Sequence, residues 1–155
     1  MRNLPPIEKI YEAYSAIVDA RIVMRTDEAY VRSSNGQKEY TVTWEDEAYT
    51  SNDSATYWQG YAGYPVIAVL LLQGKLPLDR EAATKFKGID WTELNVKFKR
   101  NYAKAVAAVF DAMDCDAGTK DRIRLEAERV FEAMKELDIV IKRGSLRPPK
   151  SSRQQ

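Results

Sequence analysis

The dipeptide Asn35-Gly36 constrains this chain more than any other feature. It is the strongest short signal for a two-residue hairpin, because both residues tolerate the left-handed backbone that such a turn requires. The flanking segments, Ala29 to Ser34 and Gln37 to Trp44, alternate with a period of two. Folding about the turn sets Val31 opposite Tyr40 and Ala29 opposite Val42, while Arg32 meets Glu39 and Tyr30 meets Thr41. Apolar and polar pairs then fall on opposite faces, which predicts a sheet with one buried side. Ile22 and Met24 predict a preceding strand, joined through a turn near Asp27. A short strand, Ala48 to Ser51, is expected after the acidic turn Glu45-Asp46-Glu47.

On either side of this meander the period is helical. Ile7, Ile10, Tyr11, Tyr14, Ile17 and Val18 predict a first helix from about Pro5 to Asp19 with one apolar face. After the meander, Asp53 or Ser54 suits the cap of a short helical turn, broken by Gly60 and Gly63. Pro65 opens a helix that is apolar nearly all round and ends at Gly74. Asp79 caps a short helix to Lys87. Asp90 and Glu93 stand at capping-box spacing before a long helix whose inward face is Trp91, Leu94, Phe98, Tyr102, Ala105, Val109 and Met113. A last helix from Thr119 turns Ile123, Ala127, Val130, Phe131, Met134, Leu137 and Ile141 inward, and the two form an antiparallel pair. The fold class is therefore α+β: an N-terminal helix, a three- to four-stranded antiparallel meander, and an all-helical C-terminal half. The expected boundaries are one domain over 1–142 and a disordered basic tail over 143–155.

A chain of 155 residues, 45% apolar and 30% charged, is long enough to bury a core without staples. The single cysteine, Cys115, forms no internal disulfide, no signal-peptide pattern opens the sequence, and its longest apolar run is far too short to span a bilayer. A cytoplasmic protein with no membrane partner is expected. With no histidine, Ser-His and Cys-His pairs and the commonest zinc ligand are excluded. Gly74-Lys75 lacks the rest of a phosphate loop. The reading is of a non-enzyme without cofactor or metal.

The stretch from the first helix to Leu72 resembles a SWIM-type zinc finger. It carries Ala29 to Gly36, Lys38 to Thr43, Tyr49 to Asp53, and then Tyr64 to Leu70, which is similar to the family's Cys-Lys-His-Ile-x-Ala-Val-Leu helix start. By this alignment Tyr49, Ser51, Gly63 and Pro65 occupy the four ligand positions, and none of them holds zinc as the family does. The chain reads as a degenerate, zinc-less SWIM-like half (5–73) with an added helical half (74–142). Packing of Tyr40, Trp44, Tyr49, Tyr57, Trp58, Tyr61 and Tyr64 is expected to replace the metal. Stoichiometric zinc in the purified protein would end that idea.

The resemblance implies a non-catalytic module that binds nucleic acid or protein. Charge locates the first: residues 75–104 hold 8 basic and 4 acidic groups, against 6 and 10 in residues 1–74. Lys85, Lys87, Lys97, Lys99, Arg100 and Lys104 form the candidate face for DNA or RNA, helped by Arg143, Arg147, Lys150 and Arg153. A helix-turn-helix variant is disfavoured because Asp90 and Glu93 would face phosphate. The alternative is an assembly subunit that homodimerises through the C-terminal helices or meets another protein. A third class, an enzyme or small-ligand site around Asp53, Tyr57 and Tyr61, lacks any pair at task-matched spacing.

Overall fold

The computed structural model describes residues 1–150 of the chain. Helix α1 (Lys9–Val18) leads into β1 (Ile22–Met24), β2 (Glu28–Arg32), β3 (Glu39–Glu45) and β4 (Ala48–Ser51). A single π-helical turn (Ala55–Gln59) then precedes α2 (Tyr64–Leu72), α3 (Arg80–Thr84), α4 (Trp91–Lys97), α5 (Tyr102–Ala112) and α6 (Ala117–Glu136). The last element is β5 (Val140–Ile141). The fold is α+β, with an N-terminal helix, one sheet and a helical C-terminal half.

The hairpin adopts the predicted register. Val31 faces Tyr40, Ala29 faces Val42, Arg32 faces Glu39 and Tyr30 faces Thr41. Ala29, Val31, Val42 and Tyr49 are buried, which puts one face of the sheet in the core. The strands run in the order β1-β2-β3-β4-β5. The fifth strand was not expected. It pairs parallel to β4, with Tyr49 opposite Ile141, so Ile141 ends in the sheet rather than on a helix.

Helix α2 is buried from Pro65 to Leu71 and packs against β3, β4 and α1. Helix α1 meets α3 and α6 in turn. The apolar face of α1 packs on the core, and burial goes beyond it: every residue from Lys9 to Ala16 is buried, charged ones included. The centre of the core is a ring cluster in which Tyr11 lies 5.0 Å from Phe86 and 5.4 Å from Phe110.

The expected long helix from Trp91 to Met113 is two helices. Lys99 and Arg100 both take the left-handed backbone, with φ of 53° and 63°. Asn101 then restarts the chain as an N-cap, its side chain accepting from the Lys104 N–H at 3.1 Å. The interruption shifts the inward face. Trp91, Ala105 and Phe110 are buried, whereas Leu94, Phe98, Tyr102, Val109 and Met113 are only partly so. On α6, Ile123, Ala127, Val130 and Met134 are buried as the period predicts.

The first residues of the tail make contacts of their own. Arg143 donates from Nε to the Tyr57 carbonyl at 3.0 Å, with its guanidinium 4.9 Å from the Tyr57 ring centre. Further on, Asn52 donates to the Arg147 carbonyl at 3.1 Å. These contacts lay the basic segment against the end of β4 and the π-turn. Residues 151–155, and with them Arg153, lie outside the described residues.

Candidate functional site

A cleft of about 840 Å³ opens where α1, the π-turn, the start of α2 and α4 meet the end of the β2–β3 hairpin. Its floor comes from α1. Lys9 and Glu12, three residues apart and therefore on one side of the helix, form an ion pair at 3.3 Å with side chains only 8% and 6% exposed. The Lys9 ammonium also sits 4.0 Å from the centre of the Tyr102 ring, a cation–π contact. Asn95 of α4 donates to Glu12 at 3.3 Å, and its own Oδ1 is buried without a partner.

Burial pushes the Glu12 carboxyl above the ordinary carboxylate range, although Lys9 and Asn95 pull it back. Burial pulls the Lys9 ammonium down, but Glu12, Tyr102 and Tyr61 more than offset this and hold it above its usual value. A charged pair kept away from water costs desolvation that apolar residues of equal volume would not. Here the pair faces an open cleft rather than the packed core.

The walls are aromatic. Tyr40 and Tyr64 meet edge to face at 6.2 Å, and burial raises both phenols, Tyr40 to about 12. Trp91 is fixed by an indole N–H bond to Ser15 Oγ at 2.7 Å. Trp58 is 61% exposed at the rim, carried there by the π-turn; such turns recur at functional sites. Arg21 lines the same cleft and is tied to the Arg32 carbonyl at 2.5 Å.

The rim is where the basic residues of the sequence reading divide. The break between α4 and α5 puts Lys99 and Arg100 on the cleft, both exposed. Lys97 ends α4 beside the Phe98 ring, and Lys104 stands exposed in the first turn of α5. Lys85 lines a separate shallow groove with Ile89, Leu94 and Val109, and Lys87 is exposed in the turn after α3. Neither lines the cleft.

Asp53 and Tyr61 line the cleft, whereas Tyr57 packs under Arg143 instead. Asp53 is spoken for: it accepts from Ser51 Oγ at 2.5 Å and from the Thr56 N–H at 3.0 Å. The floor residues Lys9, Glu12 and Asn95 had no place in the sequence reading. The one available signal was a Lys/Glu pair inside an otherwise apolar helix. Among the described residues no group of three or more His, Cys, Asp or Glu is placed to hold a metal. Among them also, no helix is long and apolar enough to cross a membrane.

With this geometry in hand, the comparisons with known proteins add one result. The family described as Uncharacterised conserved protein UCP014422 matches residues 2–140. The chain belongs to that family. It therefore contains α1 through α6 and the start of β5, and every residue that lines the cleft. A search of the curated proteins and of the solved structures found no match.

Proposed function

We propose that the chain is a non-catalytic module that binds single-stranded nucleic acid in the cleft. The observation that carries this reading is the rim. Two consecutive cations, Lys99 and Arg100, stand at the mouth of a cleft lined by the partly exposed rings of Tyr40, Tyr61, Tyr64 and Tyr102 and by the exposed Trp58. Single strands are bound where aromatic rings accept stacked bases and cations track the backbone. Lys97, at the end of α4, and Lys104, in the first turn of α5, are exposed on either side of the break. A duplex fits this reading poorly, since its bases are already stacked on one another and cannot enter a recess.

The SWIM-like resemblance belongs with the same reading. Ser51 and Gly63, at two of the four ligand positions, both contact the carboxylate of Asp53, which joins the end of β4 to the start of α2. Ring packing such as Trp44 on Tyr49, 6.1 Å apart, supports a core that does without the ion.

The test is fluorescence anisotropy with labelled single-stranded oligonucleotides over a range of salt. Binding should weaken as salt rises, and Lys99→Ala with Arg100→Ala should flatten the log–log salt slope by about 1.4, two phosphate contacts at roughly 0.7 each. Trp58→Ala should cost about 1–3 kcal/mol of affinity. No binding at low salt overturns the proposal.

A further inference from the structure

Three observations about the cleft floor are not used by the general reading. The Lys9–Glu12 pair is more than nine-tenths buried, yet it lines the open volume. Both bonds to the Glu12 carboxylate, from Lys9 and from Asn95, are long at 3.3 Å. Ordinary N–H···O bonds are 2.7–3.2 Å, and charge-assisted ones are shorter still. The third is Asn95 Oδ1, buried with no partner at all. Buried polar groups are normally satisfied, and those that are not call for an explanation. A floor with a carboxylate holding spare lone pairs, an ammonium beside it and an idle amide oxygen is a hydrogen-bonding surface short of its complement.

That complement must be flat, because Tyr61, Tyr102 and Trp58 line the approach. It must present at least two adjacent N–H donors to the carboxylate, with an acceptor alongside for the ammonium. Among the common bases the Watson–Crick edge of guanine has this order: N2–H₂ and N1–H as donors, then O6 as acceptor. Cytosine and adenine each bring one amino group beside an acceptor nitrogen. Thymine and uracil bring a single N–H between two carbonyls, whose oxygens would meet the carboxylate oxygens with repulsion. A volume of about 840 Å³ leaves space for the sugar and for a phosphate reaching Lys99 or Arg100.

We infer that the floor of the cleft is a pocket for one unstacked guanine, read along its Watson–Crick edge by Glu12 and Lys9. The inference rests on the nucleic-acid reading above and assigns it a base preference. Proteins that take a base out of the stack read it in this way, by edge hydrogen bonds between aromatic walls.

The experiment compares short oligothymidylates that carry one central guanine, adenine, cytosine or thymine, by anisotropy at fixed salt. The guanine strand should bind about tenfold more tightly than the all-thymine strand, the discrimination of one good base contact. Glu12→Gln should abolish the preference, so that the guanine and all-thymine strands bind alike. Because that change strands a buried ammonium, the paired replacement Lys9→Met/Glu12→Leu serves as the second variant. It exchanges the ion pair for apolar groups of similar volume, which folds typically tolerate, and it too should lose the preference. Equal affinity for all four strands overturns the inference and leaves the nucleic-acid reading standing. So does a guanine preference that survives in the paired variant. Failure to bind any strand overturns both.

Discussion

Gly63 shows how much one missing side chain can hold in place. Its φ of −69° is open to any residue, so the requirement is for space and not for conformation. A Cβ there would lie 2.1 Å from Asp53 Oδ2 and 2.9 Å from its Cγ. Asp53 has no room to retreat: it is buried and fixed by Ser51 and Thr56. The Gly63 N–H itself donates to Thr56 Oγ1 at 2.9 Å, so strand end, π-turn and helix start form one knot. That knot aims Trp58 at the cleft. Gly63→Ala should therefore cost about 2–3 kcal/mol, the usual penalty of overpacking, as a lowered urea midpoint. Gly118→Ala is the control, since its Cβ would meet only Asp116 Oδ1, at an ordinary 3.7 Å. An unchanged midpoint for Gly63→Ala would mean that the carboxylate moves freely and the knot is slack.

At the scale of elements, the break between α4 and α5 decides what the cleft becomes. Two neighbouring non-glycine residues in the left-handed region cost roughly 1–2 kcal/mol each. Glycine in those places would relieve that cost, less its own entropy. Lys99→Gly and Arg100→Gly should thus each raise stability by about 0.5–1 kcal/mol while weakening oligonucleotide binding. Asn101→Ala should lower stability by about 1 kcal/mol through loss of the cap. A Lys99→Gly variant less stable than the parent would show that the lysine's contacts outweigh its backbone strain. The same break marks where the sequence stops being legible. Asn35-Gly36 announces its turn because the chemistry of the turn is local, and Asp79 and Asp90 announce their helices for the same reason. Asn101 is an equally good cap, but it sits inside a run whose apolar spacing continues from Trp91 to Met113, and periodicity outvoted it. The period then assigned Phe98 and Val109 to a face that belongs to Phe110. The floor of the cleft was hidden for another reason. Glu12 and Asn95 are 83 positions apart, and no spacing rule brings α1 and α4 together.

For the molecule as a whole, the tyrosines tie core and cleft into one alkaline transition. Burial lifts the phenol of Tyr11, in the core, and of Tyr40, in the cleft wall, to about 12 each, and drives those of Tyr14 and Tyr64 further up. In the unfolded chain these groups ionise near about pH 10. Below that pH both states keep their protons, and the stability associated with the neutral phenols is fully present. Between about pH 10 and 12 the unfolded chain releases protons that the fold still holds, so it binds fewer than the native state and stability falls as pH rises. Once the pH passes the folded-state value for Tyr11 and Tyr40, the fold must either bury phenolates beside Phe86 and Tyr64 or open. Core and cleft should therefore fail together. A pH titration that follows helical circular dichroism and tyrosinate absorbance in parallel checks this. The share of the absorbance that belongs to Tyr11, Tyr14, Tyr40 and Tyr64 should appear with the loss of ellipticity, in a step that begins above about pH 10. Should the absorbance instead rise to completion around pH 10 with the helices intact, the rings of Tyr11 and Tyr40 are open to water.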